Sequence, residues 1–303
     1  MNAPTETDLR SLEERVQHAL RTLDNNDLQV LGYGEVTTVF RLDTEHDSFA
    51  CKRFPLFRNR SDAEAHQGLV HRYIAELAAR GLNVLETGFV SLYDDDGRTV
   101  LYLIQPIVEA ERIGPNYFRT LEPEIAQKKF EEILTTIESS VTPELAPDGQ
   151  LSNWVFLDEG LFYVDVSTPF MRDAEGAEAV NWDVLYESVI GGILTPLRPY
   201  FRRQIPSILE SYFSVRGQVL DFLGNLRKEK LDPLIPAFLS VANARLDLSP
   251  PLTLKDVQAY YNEDADVYAL LMRLYRINRA FHRHVLRRPY PNFIPPKIDR
   301  NKF

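Results

Sequence analysis

Three residues in the middle of the chain have the types and spacing to do chemistry together: Asp148, Asn153 five positions later, and Asp165 twelve beyond that. They lie in Ala146-Pro147-Asp148-Gly149-Gln150-Leu151-Ser152-Asn153-Trp154-Val155-Phe156, then a turn, then Leu161-Phe162-Tyr163-Val164-Asp165-Val166-Ser167. The pattern puts an Asp on a loop, an Asn at the entry to an apolar strand, and a second Asp at the end of the strand paired with it. Such a set supplies one base and two oxygen ligands for a divalent cation. Phosphoryl transfer from Mg-ATP needs those groups.

The elements that must position them begin upstream. Leu9, Leu12, Val16, Ala19, Leu20 and Leu23 recur at helical spacing over 8–24, and Asn25-Asn26-Asp27 ends the run. Leu28–Leu31, Val36–Leu42, Ser48–Phe54, Val84–Tyr93 and Thr99–Pro106 are rich in β-branched and aromatic residues and read as strands. Asp94-Asp95-Asp96-Gly97 is a hairpin turn. A helix is expected over Ser61–Arg80, opened by a Ser61-x-x-Glu64 capping box and closed by Gly81. A helix over Thr120–Ser140 precedes the Asp148 region. Beyond it the pattern predicts helices over 183–193, 205–228, 235–244 and 264–288, then an extended, proline-bearing tail from Arg288.

Within the strand region, Leu31-Gly32-Tyr33-Gly34-Glu35-Val36-Thr37 carries a Gly-x-Gly step with Thr37 where a dinucleotide motif would have its third glycine. Strand-like sequence follows, so Gly32 and Gly34 belong to a hairpin tip. There they either let backbone amides approach phosphate oxygens or simply form a turn. Lys52 lies in Phe49-Ala50-Cys51-Lys52-Arg53-Phe54. Strand alternation sends Ala50 and Lys52 to one face and Arg53 to the other.

Composition bounds the rest. The chain has 303 residues, 44% of them hydrophobic, and a net charge of −10. That charge disfavours nucleic acid and anionic membrane as partners. One cysteine, Cys51, excludes an internal disulfide. Met1–Arg10 is polar, without an apolar signal core, and no run of about 18 apolar residues occurs; the expected location is cytoplasmic.

With these pieces in order, the sequence resembles the protein-kinase-like superfamily, nearest the aminoglycoside and choline phosphotransferase branch, over roughly 28–170 and more loosely beyond. The resemblance implies an α+β, bilobal protein-kinase-like fold with a small antiparallel β-sheet lobe and a larger, mainly helical lobe. The implied division is an N-terminal helix at 1–27, a nucleotide-binding lobe at 28–106, and a helical lobe at 107–303. It implies ATP and Mg²⁺ as cofactors. Asp148 would be the catalytic base, Asn153 and Asp165 the metal ligands. Gly32, Gly34 and Lys52 would hold the phosphates, with Ala50 against adenine. Glu64 is preferred over Glu76 as the carboxylate paired with Lys52. Leu103–Val108, with Gln105 and Ile107, would be the hinge whose backbone binds adenine.

Departures from the family pattern are Ala146 where a His is common, Val166-Ser167 after Asp165, and the absent third loop glycine. No Ala-Pro-Glu marker follows Asp165, which favours a small-molecule acceptor over a protein. The expectation is a phosphotransferase acting on a hydroxyl. The alternatives are a nucleotide-binding pseudokinase serving as scaffold or regulator, with a protein partner, and adenylyl transfer by the same fold.

Other features carry less. His66 and His71 read as solvent-facing, and His282 and His284 lack the spacing of helical metal ligands. Arg276, Arg279, Arg283 and Arg287 form a basic stripe on one helix face. It is read as a solvated face paired with the chain's many carboxylates, against the alternatives of phosphate-bearing substrate, nucleic acid or an acidic partner.

Overall fold

A computed structural model of the protein describes residues 3–303 apart from 35, 95, 188–190, 247, 298, 299 and 301. Glu35 of the glycine loop, Asp95 of the expected hairpin turn, residues 188–190 of the expected 183–193 helix and Asp299 of the tail therefore lie outside the described residues.

Helix α1 (Glu6–Thr22) opens with a capping box between Thr5 and Asp8. Five strands follow: β1 (Val30–Tyr33), β2 (Thr38–Asp43), β3 (Ser48–Arg53), β4 (Gly88–Tyr93) and β5 (Thr99–Pro106). They form one antiparallel sheet in the order β1-β2-β3-β5-β4. Helix α2 (Arg60–Ala79) crosses over between β3 and β4. Its N-cap is Asn59, whose side chain accepts from the Asp62 amide, and not Ser61 as the sequence predicts. An Asn two residues earlier takes up a first-turn amide, so the helix starts sooner. Its C-terminus is a Schellman turn: Leu82 N donates to Leu77 O and Gly81 N to Ala78 O, with Gly81 at φ +85°.

The larger region is helical. It holds α3 (Gly114–Arg119), α4 (Pro123–Ser140), α5 (Trp182–Glu187), α6 (Arg198–Leu209), α7 (Val215–Lys228), α8 (Ile235–Leu246) and α9 (Leu254–His284). Between α4 and α5 lie four short strands in two antiparallel pairs. β6 (Leu145–Ala146) pairs with β9 (Phe170–Met171), and β7 (Trp154–Leu157) with β8 (Gly160–Tyr163). The helix expected over 205–228 is broken. A 3-10 turn at Glu210–Phe213 separates α6 from α7, and Ser214 caps α7 through the Gly217 amide. The last helix starts ten residues earlier than the apolar pattern predicts, because Thr253 and Asp256 form a capping box and much of its inner stripe is tyrosine. None of the described helices is long and apolar enough to cross a membrane.

The two sheet faces bury different things. Phe49, Cys51 and Arg53 of β3 point to α1, whose Leu9, Leu12, Val16 and Leu20 share a core with Phe40 and Tyr102. Burial pushes the Cys51 thiol up to about 12, so it is an inert core group. Arg53 makes a two-point fork on Glu13 of α1 at 2.8 and 2.9 Å, and the Tyr102 hydroxyl donates to the same carboxylate at 2.5 Å. The opposite face joins α2 and continues into the main core around Phe130, Phe222 and Phe238. The result is an α+β, bilobal architecture, a small antiparallel sheet lobe beside a larger helical one.

Candidate active site

Asp148, Asn153 and Asp165 occupy the loops between short strands. Asp148 follows β6, Asn153 precedes β7, and Asp165 follows β8. The β7–β8 register, Trp154 opposite Tyr163, brings the Asn153 and Asp165 ends of the hairpin together, and Val164 N donates to Asn153 O at 3.0 Å.

The loop bearing Asp148 is held from four directions. Tyr73 of α2 donates to Ala146 O at 2.7 Å, and Asp148 N donates to the Tyr163 hydroxyl at 2.8 Å. Trp154 Nε1 donates to Gly149 O at 3.1 Å. Gln218 of α7 accepts from Gly149 N at 2.8 Å and donates to Pro147 O at 2.7 Å. A Cβ at position 149 would meet Gln218 Oε1 at 2.4 Å, so the brace requires glycine there. These bonds fix the loop without the histidine whose place Ala146 takes. Asp183 of α5 takes no part in this bracing and pairs with Arg202.

Lys52 reaches across from β3. Its ammonium donates to Asp165 Oδ1 at 2.7 Å and to Ser167 Oγ at 3.2 Å. Ser167 also donates to Asp165 Oδ1 through its hydroxyl at 2.7 Å and its amide at 3.2 Å. Burial works to raise the Asp165 pKa, but Lys52 and Ser167 together hold it below the usual carboxylate value. Asp148 moves the other way. Burial, then the charge of Asp165, push it up to about 7, against smaller opposing effects of the Gln150 amide, Lys228 and Asn153. Two nearby carboxylates are thus split into a firmly ionised one and one that exchanges its proton near neutrality.

Among the other sequence candidates, Gly32 lies in β1 opposite Val39, and Gly34 N donates to Thr37 O at 2.9 Å, closing the hairpin turn. Gln105 is a buried residue of β5 whose side-chain amide donates to Val164 O at 2.9 Å, bracing the segment that ends in Asp165. Ile107 follows the end of β5 and is free of the ladder.

Glu64 is not brought to Lys52. It is exposed on the outer face of α2 and accepts from Arg60 at 2.6 Å, one turn away. The inward stripe of α2 is Ala63, His66, Val70, Tyr73 and Leu77. His66 takes the position facing the site, and it is buried rather than solvent-facing. Its Nε2 lies 3.2 Å from Ser167 O, and its ring packs edge-on to Phe54. Burial lowers its pKa to about 4, so the ring is neutral. The 3.6-residue stripe of α2 was the signal that could have found it.

Asp221 of α7 is a further residue that sequence reading missed. It is buried, its Oδ1 accepts from Asn225 at 3.0 Å and from the Tyr260 hydroxyl at 2.9 Å, and its buried Oδ2 has no partner among the described residues. Burial, then repulsion from Asp148, raise its pKa well above the ordinary value. Nothing in sequence marks an aspartate inside an amphipathic helix as a neighbour of Asp148.

The oxygen set suits a hard cation. Asn153 donates its Nδ2 to Asp148 O at 3.2 Å, leaving Oδ1 uncommitted, and Asp165 Oδ2 is likewise outside the Lys52 and Ser167 bonds. Among the described residues no group of three or more His, Cys, Asp or Glu could hold a metal. Two protein oxygens with phosphate and water completing the shell is a magnesium pattern.

A family model described as a family of unknown function (DUF6206) matches residues 11–279. No curated protein matches. Among solved structures, the GDP and kanamycin complex of APH(2")-IIia is similar at 11% identity, with 77% of this chain and 98% of that one covered and a TM-score of 0.31.

Proposed function

The chain belongs to DUF6206, and we propose that it is an ATP-dependent phosphotransferase acting on a hydroxyl of a small molecule. The observation that carries this reading is the Lys52–Asp165 contact at 2.7 Å, which joins the sheet lobe to the loop set holding Asp148 and Asn153. In this reading the sheet lobe at 28–106 takes the nucleotide and the helical lobe at 107–303 the acceptor.

Asn153 and Asp165 would hold Mg²⁺, which supplies charge neutralisation on the β- and γ-phosphates. Lys52 turns from Asp165 toward the phosphates as they arrive. Asp148 accepts the proton of the acceptor hydroxyl. The acceptor oxygen bonds to the γ-phosphorus, the bond from that phosphorus to the bridging oxygen breaks, and ADP leaves. Gln218, Tyr73, Tyr163 and Trp154 keep Asp148 fixed while this happens, so the contribution of the protein is positioning and charge balance. A base whose pKa lies near neutrality suits that transfer.

The test is thermal unfolding with ATP, with and without Mg²⁺, on wild type and Asp165→Ala, followed by product mass in an acceptor screen. A Mg²⁺-dependent rise in Tm that Asp165→Ala loses supports the site. Addition of phosphate to an acceptor supports the reaction, and addition of AMP points to adenylyl transfer instead. No Tm rise with any nucleotide overturns the reading. Binding without any transfer would leave a nucleotide-binding scaffold.

A further inference from the structure

Among the described residues, the basic stripe of α9 does not find the carboxylates expected of it. Arg300 and Lys302 pair with Asp264 and Asp266. Arg276, Arg279 and Arg283, neighbours on one helix face, pair with no carboxylate among the described residues. Arg276 donates to Pro295 O at 3.3 Å and Arg283 to Arg21 O at 3.0 Å, so two guanidiniums tie the tail and α1 to α9 through neutral carbonyls. Arg279 makes neither a hydrogen bond nor an ion pair among the described residues, although it is partly buried. Burial, then the charges of Arg276 and Arg283, lower its pKa. A desolvated, unpaired guanidinium is costly, and a chain of net charge −10 has acids to spare for it.

Arg279 lines a cavity of about 140 Å³ between α1, the end of β1 and the tail, roughly ten times the ~10–15 Å³ that one water needs. Its walls include Leu20, Phe293 and Ile294 with the polar Asn25 and Asn292, and Tyr33, whose hydroxyl has no partner among the described residues, lines it as well. One cationic head and one hydroxyl, beside an apolar part of the wall formed by Leu20, Leu23, Phe293 and Ile294, together match an anionic group on an apolar body. We propose that this cavity is a binding site for a small phosphate monoester with an apolar body, its phosphate on Arg279 and the Tyr33 hydroxyl and its body against Leu20 and Phe293. The lining shares no residue with the Lys52–Asp165 site. Tyr33 adjoins Gly34, so occupancy would be felt at the glycine hairpin.

The test is calorimetric titration of phenyl phosphate, inorganic phosphate and benzoate into wild type, Arg279→Met, Arg279→Lys and Lys52→Met, the last reporting any binding in the cleft. Expected are phenyl phosphate binding to wild type and Lys52→Met alike, a loss of about thirtyfold or more in Arg279→Met, partial recovery in Arg279→Lys, and weaker binding of the other two anions. Should Arg279→Met not fold, Tyr33→Phe decides, with an expected loss of about two- to tenfold. The proposal is overturned by no binding to wild type, by unchanged binding in the Arg279 or Tyr33 variants, by loss in Lys52→Met, or by benzoate or inorganic phosphate binding as well as phenyl phosphate.

Discussion

The ammonium of Lys52, on the third strand of the sheet lobe, lies 2.7 Å from a carboxylate oxygen of Asp165, 113 residues later and in the helical lobe. Both side chains are largely withdrawn from water, so removing either one strands the other's charge. Lys52→Met should destabilise the fold by about 1–3 kcal/mol, and the double variant Lys52→Met/Asp165→Asn should recover part of that loss. Urea unfolding of the two single variants and the double closes the cycle; strict additivity would show that the contact contributes nothing.

Gln218 predicts a different pattern. Its side chain serves Gly149 N, Pro147 O and Tyr212 O at 2.7–2.8 Å; Gly149 and Pro147 are buried and Tyr212 partly so. Gln218→Leu leaves them unsatisfied and should cost about 2–4 kcal/mol. Because the loop it braces carries Asp148, turnover should fall while the nucleotide-induced Tm rise persists. Loss of both together would make Gln218 a general core residue and not a brace of that loop.

Asp148 gives a pH signature. Its folded pKa is raised to about 7, against about 3.9 in an unfolded chain. Between those values the folded protein retains a proton that the unfolded chain has released, so this group's contribution to stability falls as pH rises through the window. Asp148→Asn keeps an oxygen for the Gln150 amide and removes the charge. Relative to wild type it should be no more stable near pH 4, and should gain at least about 1 kcal/mol by pH 8, the equivalent of one pKa unit. Denaturant midpoints at the two pH values measure this; a pH-independent difference contradicts it.

Glu13 secures α1 to the back of the sheet. Burial would raise its pKa, yet Arg53 and its hydrogen bonds hold it below the ordinary value. Glu13→Ala leaves the almost fully buried Arg53 guanidinium without its fork and should cost about 3–5 kcal/mol. Amide exchange should then rise first in α1 and β3. Protection unchanged there would mean that apolar packing alone holds α1.

What sequence by itself determined was local. The strand-turn-strand spacing around Asp148, Asn153 and Asp165 and the alternation that sends Lys52 and Arg53 to opposite faces are properties of period and turn chemistry, which act over a few residues. Those same rules assigned the five strands and most helices, and they failed where a cap or a tyrosine-rich stripe outweighed the apolar count, at Asn59, Ser214 and Thr253. Tertiary structure decided which charge meets which. Glu64 was expected to face Lys52, but the phase of α2 is set by burying Val70, Tyr73 and Leu77, and that phase turns His66 inward and Glu64 out to Arg60. The braces from Gln218, Tyr73 and Tyr163, the repulsion of Asp221 by Asp148, and the absence of a carboxylate at Arg279 among the described residues all concern residues tens to hundreds of positions apart. Side-chain pairing at such separation depends on how helices pack, and no local pattern encodes it.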